Sequence, residues 1–297
     1  MVNKNDLVGF IGLGIMGKPM AINLIKSGFK LTVYDKNPEA LKEIESKGVK
    51  IAESIASLAK NSDVIITMLP NSPDSLEVIV GDNGIINNAK IGTLVIDMSS
   101  IDPIVSIEIG KKLQESGIDF LDAPVSGGEP KAIEGTLAIM AGGKQKTFKK
   151  ALPFFKAMGN SYILVGNVGA GNFTKLANQI IVALNIAAVC EATLLAKRAG
   201  LNITKMYEAI KEGLAGSAVL DSKFPLIANK NFKPGFKIKL HLKDIQNALN
   251  TSTKLNVPLI FTPQILEILK SLTLHGYGEL DHCAIFKFYE NISGIDA

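Results

Sequence analysis

The chain has 297 residues, 47% apolar and 20% charged, with two cysteines and no tryptophan. That length and balance exclude a disulfide-stapled miniprotein and a disordered chain, and they leave room for two domains. The formal net charge of +4 is spread without a block of basic residues, which gives no support to nucleic-acid binding.

The polar N-terminus MVNKND runs straight into LVGFIGLG, which predicts no signal or transit peptide and a cytoplasmic protein. From residue 7 to about 165, short aliphatic runs at 7–11, 31–34, 64–68, 94–98, 118–121, 137–141 and 162–165 alternate with helical patterns. Parallel βαβ units follow, with helices on both sheet faces. Asn37-Pro38, Ser54 and Asp102-Pro103 supply helix starts. After Gly171 the strand runs stop, and apolar-periodic segments take over at 173–199, 204–214, 241–255 and 263–275. The predicted fold class is therefore α/β, a parallel-sheet domain over residues 1–165 followed by an all-helical domain over 166–297. A long helix of roughly 40 Å joins them, with the cleft expected near its start. Its stretch 180–196 is interrupted by Asn185 and Glu191 and falls short of the roughly 20 apolar residues of a bilayer span, so it reads as a buried helix. Cys190 and Cys283, without a CxxC, read as core thiols in a reducing compartment.

Gly12-Leu13-Gly14-Ile15-Met16-Gly17 directly follows the first strand and opens a helix. The first glycine permits the tight turn, the second lets the backbone approach a pyrophosphate, and the third lets helix and strand pack closely. This is the dinucleotide fingerprint of a Rossmann-type domain. Asp35 ends the second strand 18 residues after Gly17, near the position of the acid that reads the ribose. A carboxylate there accepts from a 2′-OH and repels a 2′-phosphate, so NAD(H) is expected, and Lys36 leaves NADP(H) open. Met68-Leu69-Pro70-Asn71 and Asp97-Met98-Ser99-Ser100 end later strands, where ligands of open α/β sheets sit. Leu69 and Pro70 are expected to flank adenosine or ribose, and Ser99 to bond near the nicotinamide.

Only Arg198 among the 32 basic residues is an arginine, so a carboxylate site here relies on lysine, hydroxyls and backbone N–H groups. Pro124-Val125-Ser126-Gly127-Gly128 can present a hydroxyl and successive N–H groups to a small carboxylate, though an ordinary Gly-Gly loop fits the same residues. Lys175 has Asn178 and Gln179 at i+3 and i+4, so an ammonium and two amides share one helix side. His241, His275 and His282 are far apart or lack metal-ligand spacing, which predicts no metal site and no histidine acid–base catalyst.

Four segments taken together, GFIGLGIMGKPMAINL, DAPVSGGEPKAIEGTLAIMAGG, GAGNFTKLANQ and FKIKLHLKD, resemble the β-hydroxyacid dehydrogenases, the group containing 3-hydroxyisobutyrate dehydrogenase. SGGEPKAI, KLANQIIVALNIAA, GLAGSAVLDSK and NFKPGF are most similar to its tartronate semialdehyde reductase branch. The resemblance covers essentially the whole chain. It implies Lys175 as the catalytic residue, Ser126, Gly127 and Gly128 as carboxylate binders, Asn178 or Gln179 at the substrate, and Lys243 as a cofactor-side contact. Without it, Lys243 and Asp244 read as a solvated pair. It further implies a homodimer or homotetramer acting on a small carboxylate-bearing aldehyde or hydroxy acid. The implied reaction is NAD(P)H-dependent reduction of tartronate semialdehyde (2-hydroxy-3-oxopropanoate) to D-glycerate. A 3-hydroxyisobutyrate dehydrogenase, or another short semialdehyde or glyoxylate reductase, is the alternative within the family. A non-catalytic dinucleotide-binding module is the alternative of another class. Many relatives carry a second Asn where this chain has Gln179, and the resemblance implies that the reductase branch shares the Gln.

Overall fold

The computed structural model describes residues 6–294; the stretch MVNKN, on which the expectation of no leader rests, lies outside the described residues. Two compact units divide the chain, the first ending at Lys175 and the second beginning at Leu176.

The first unit alternates β1 (Leu7–Ile11), α1 (Gly17–Lys26), β2 (Lys30–Tyr34), α2 (Pro38–Glu45), β3 (Lys50–Ile51), α3 (Ile55–Lys60), β4 (Val64–Thr67), α4 (Ser72–Val80), β5 (Leu94–Asp97), α5 (Pro103–Glu115) and β6 (Asp119–Asp122). It closes with β7 (Val125–Ser126), α6 (Gly128–Glu134), β8 (Leu137–Gly143), α7 (Gln145–Met158) and β9 (Gly159–Gly166). The sheet runs β3-β2-β1-β4-β5-β6-β8-β7, with β9 also on β8. Strands β1 to β6 pair in parallel. The sheet is mostly but not wholly parallel, because β8 runs antiparallel to β6 and β7 before pairing in parallel with β9.

Alternation along each central strand sends neighbours to opposite faces. Val64, Ile66, Ile96 and Leu121 pack with Met20 and Leu24 of α1 and with Phe154 and Phe155 of α7. Ile65, Val95 and Phe120 pack on the other side with Leu58, Ile79, Ile109 and Leu113 of α3, α4 and α5. The three helix starts read from the sequence all carry their caps: Asn37 accepts from the Glu39 N–H, Ser54 from Ser57 and Asp102 from Ile104.

α8 (Ala170–Arg198) begins in the first unit and continues through the second, followed by α9 (Ile203–Ile210), α10 (Ala218–Ala228), α11 (Ile238–Lys254), α12 (Thr262–Leu274) and α13 (Ile285–Ser293). By length and composition α8 would suffice to cross a bilayer. Its residues Ala183, Ile186, Ala187 and Cys190 instead join a core with Phe224, Ile245, Leu269 and Phe286, and Asn172, Lys175, Gln179 and Thr193 are buried polar groups on it. Both thiols are buried, and burial pushes the Cys190 and Cys283 groups up.

One carboxylate orders the polar loop before α11. Asp281 accepts from the N–H groups of Gly235, Phe236 and Cys283 and pairs with Lys223 Nζ at 2.9 Å. Burial alone would raise its carboxyl; the charges on His282 and Lys223 and these N–H bonds outweigh it and hold the group well below the usual carboxylate range. The folded value lies below the unfolded one, so this contribution is present above the unfolded carboxylate value and is lost as pH falls through the folded one. Lys223→Met strands a buried charge and should cost roughly 3–5 kcal/mol in urea unfolding at pH 7. The gap from the wild type should narrow at pH 3, where the stranded acid takes up a proton.

Candidate active site

The three glycines of the first βα turn differ in what surrounds them. Gly12 adopts φ +96°, and a Cβ there would run into the Met68 carbonyl oxygen. A Cβ on Gly17 would run into the Gly12 carbonyl oxygen, so helix and turn close on each other only without one. At Gly14 a Cβ would meet nothing within 4 Å, and Gly14 and Ile15 are exposed. Leu13 is buried, Met16 half-buried, and no side chain caps α1. The turn therefore presents open backbone at the positive end of a helix.

Hydrogen bonds tie the neighbouring loops to this turn. Asp35 Oδ2 accepts from the Leu13 N–H at 2.6 Å, and Oδ1 accepts from the Asn37 N–H at 2.7 Å. Lys36 is exposed, with Nζ 3.8 Å from Asp74. Leu69 is half-buried and Pro70 exposed after β4. Ser99 is fully buried, and its hydroxyl accepts from the Leu69 N–H at 2.8 Å, so it joins the β4 and β5 loops. Asp97 beneath it accepts from Thr67 Oγ1 and from the Ser99 N–H, while complete burial raises its carboxyl.

Ser126 is half-buried and Gly127 exposed at the start of α6. Gly127 and Gly128 have φ +136° and +68°, backbone that side-chain-bearing residues rarely adopt. The helix behind them is fixed by Asn23 Nδ2, which donates to the Ala132 carbonyl at 2.7 Å. Lys175, in the second turn of α8, is only 6% exposed.

In the second unit Gln179 is buried, and its Nε2 donates to Asp244 Oδ2 at 2.6 Å. Asn178 is half-buried and donates through Nδ2 to Gln179 Oε1 at 2.9 Å. Lys243 Nζ lies 3.0 Å from Asp244 Oδ1, and Asp244 is buried; the solvated pair read from the residues alone is instead an inward-facing one. The expectation that His241 and His282 stand apart is overturned: both are buried, with their Nδ1 atoms 2.9 Å apart. His241 Nε2 lies 3.3 Å from the Gln179 carbonyl oxygen, which can only accept, so Nε2 carries the hydrogen. His241 Nδ1 then accepts from His282. His275 is exposed, on the Ser271 carbonyl.

The family model of the NAD-binding domain of 6-phosphogluconate dehydrogenase matches residues 7–166. That of NAD-binding of NADP-dependent 3-hydroxyisobutyrate dehydrogenase matches residues 169–289. The 2-hydroxy-3-oxopropionate reductase of Escherichia coli K12 is 42% identical over 283 residues, 95% of this chain and 97% of its own length. The mitochondrial 3-hydroxyisobutyrate dehydrogenase of Rattus norvegicus is 36% identical over 288 residues, 95% of this chain and 86% of its own. A solved structure of Mycobacterium tuberculosis 3-hydroxyisobutyrate dehydrogenase with L-serine has a TM-score of 0.90 at 29% identity, covering 96% of this chain and 99% of that one. The chain belongs to the 3-hydroxyisobutyrate dehydrogenase-related β-hydroxyacid dehydrogenases.

A β-hydroxyacid dehydrogenase takes a nicotinamide dinucleotide, and the first βα turn fits one, with Gly14 open where a pyrophosphate must approach and the α1 N–H groups behind it. Gly14→Ala should leave stability within about 0.5 kcal/mol and weaken dinucleotide binding about 10-fold by titration calorimetry, since the added methyl meets only the ligand. Gly17→Ala should instead lower stability by roughly 1–3 kcal/mol in thermal unfolding.

Proposed function

We propose that this β-hydroxyacid dehydrogenase reduces 2-hydroxy-3-oxopropanoate (tartronate semialdehyde) to D-glycerate, with NADH as the preferred reductant and NADPH also accepted, as a cytoplasmic homodimer or homotetramer. The observation that carries the reading is Lys175, a cation kept almost wholly out of bulk solvent near the start of α8. The 42% identity to the Escherichia coli reductase across nearly the full length of both chains supports the substrate.

When bound, the nicotinamide supplies the hydride that adds to the aldehyde carbon. The Lys175 ammonium gives its proton to the carbonyl oxygen as negative charge gathers there. In the reverse direction its neutral amine takes the hydroxyl proton. The Ser126 hydroxyl and the N–H groups of Gly127 and Gly128 hold the substrate carboxylate, a task that a chain with one arginine cannot give to guanidinium forks. Asp35 reads the ribose; its carboxylate accepts two backbone N–H groups and has lone pairs for more. Lys243 serves the cofactor side. Of the two amides, Asn178 is the one assigned to the substrate, because Gln179 is buried and engaged at both ends of its side chain. With its Nδ2 on Gln179, Asn178 turns its Oδ1 elsewhere as an acceptor for the substrate hydroxyl. A methyl in that place would leave the acceptor without its bond.

Lys175→Ala should lower kcat by about 10²–10⁴ while leaving NADH affinity within about twofold, read by steady-state kinetics and fluorescence titration. NADH oxidation followed with tartronate, methylmalonate and succinic semialdehydes and glyoxylate should favour the first. Preference for methylmalonate semialdehyde would make the chain a 3-hydroxyisobutyrate dehydrogenase, and equal slowness on all four would favour a different substrate or a non-catalytic dinucleotide module. A strong preference for NADPH would remove Asp35 from its role.

A further inference from the structure

The N-terminus of α8 is seated against the end of β6 by a residue far away in sequence. Asp122 is fully buried; its Oδ1 accepts from the Gly169 N–H at 2.7 Å and its Oδ2 from the Asn172 N–H at 2.8 Å. Gly169 immediately precedes α8 and Asn172 lies in its first turn, where N–H groups have no intrahelical acceptor. Asn172 is also fully buried. Its Oδ1 accepts from the Ile101 N–H at 3.0 Å, and its Nδ2 donates to Ser106 Oγ at 3.0 Å. Two glycines make the approach possible. A Cβ on Gly142 would run into Asp122 Oδ1 and stand 2.8 Å from the Gly171 nitrogen, and one on Gly171 would stand 2.9 Å from Asp122 Oδ2. Lys175 follows Asn172 by three residues on the same continuous helix.

We propose that Asp122 and Asn172 are positioning residues for Lys175, Asp122 fixing the first turn of α8 on β6 and Asn172 tying that turn to the loop between β5 and α5. The inference rests on the catalytic assignment of Lys175.

The choice of residue at 122 supports it. Burial drives the Asp122 carboxyl up to about 7, although the Asn172 and Gly169 N–H bonds pull the other way. Asp97 on β5, directly opposite in the strand register, faces it and adds repulsion. The stretches 137–143 of β8 and 170–174 of α8 carry no titratable side chain, and Asp119 on its own strand is paired with Lys150. Since the folded value is raised, the stability this group gives is present below the usual carboxylate range and is lost as pH rises towards 7. The fold thus holds a charge it would be more stable without. What a carboxylate offers, and an amide of the same shape does not, is two acceptor oxygens for two N–H donors. An Asn would turn its own NH2 on one of them and shift the turn from which Lys175 is hung.

The experiment compares wild type, Asp122→Asn, Asn172→Ala and Lys175→Ala as full-length proteins, measuring kcat and KM from pH 5.5 to 9, NADH affinity and Tm. The wild-type kcat should rise with pH through about 7 as Asp122 ionises. Asp122→Asn should lose that limb and about 10- to 100-fold in kcat at pH 8, with NADH affinity within twofold, the size expected for a misplaced catalytic group. Asn172→Ala should lower kcat about 10-fold and keep the limb. If Lys175→Ala is inactive while Asp122→Asn keeps its kcat within twofold and retains the limb, the positioning role is overturned and the catalytic assignment stands. If Lys175→Ala keeps its activity, both fall. Should Asp122→Asn fail to fold, Asn172→Ala decides, and a kcat within twofold of wild type overturns the proposal.

Discussion

A helix that starts at the edge of a sheet brings up to four backbone N–H groups without acceptors of their own, and burying them unmet is costly. The first unit of this dehydrogenase meets that constraint in three ways. α5 is capped by its own Asp102, the local solution. α8 is capped by Asp122, which reaches it from another strand and thereby fixes where the helix stands. α1 has no side-chain cap, and its turn carries an exposed glycine, so its positive end is open in a way that fits a phosphate. An uncapped start alone says little, because other helices here share it. Coupled to the forced turn at Gly12 and the open backbone at Gly14, it becomes a binding surface.

The same constraint explains why two carboxylates lie side by side inside the sheet. Asp97 and Asp122 end β5 and β6 in register, and burial raises both. Each collects donors from a neighbouring element: Asp97 from Thr67 at the end of β4 and from Ser99 just after β5, Asp122 from the start of α8. Ser99 passes the order on to the β4 loop through Leu69. The loops at the carboxyl ends of three strands are thereby held by buried polar bonds, which suits a site where hydride donor and acceptor must meet within a fraction of an ångström. The two aliphatic layers on either face of the sheet keep both carboxyls from water, which is why burial raises them.

What the sequence could reveal follows from the range of each interaction. The glycine fingerprint, the Asn37, Ser54 and Asp102 caps and the aliphatic runs of the central strands are settled within a few residues, and each stands where the residues put it. β3 and β7 have two residues each, too few to show any alternation. α10 has Pro225 inside it, a signal that argues against a helix until packing overrules it. The Asp122 and Asn172 bonds span 47 to 71 residues and the His241–His282 pair 41, so no local pattern announces them. Asp122 stands four residues before the Ser126-Gly127-Gly128 turn, yet its chemistry depends wholly on a helix that begins 48 residues later. Spacing along the chain speaks to metal ligation by histidines but not to two rings 41 residues apart that share a hydrogen.

Gln179 shows how one methylene governs what a site can offer. Its Nε2 reaches Asp244 at 2.6 Å while its Oε1 holds Asn178 at 2.9 Å, so the longer amide spans from one partner to the other. An Asn at 179 is shorter by one carbon–carbon bond, about 1.5 Å, and cannot hold both. Asp244 would then keep only Lys243 among these partners, and Asn178 would lose the contact that sets its orientation. The His241 contact is to the Gln179 backbone carbonyl and is indifferent to the change. On the proposed assignment, the residue that departs from many relatives touches no substrate; it orients the neighbouring amide, so that an acceptor meets the hydroxyl distinguishing 2-hydroxy-3-oxopropanoate from its methyl-bearing counterpart. A bond between two side chains of the protein thereby becomes a term in substrate choice, because a buried acceptor denied its hydrogen costs more than an equally placed apolar contact returns.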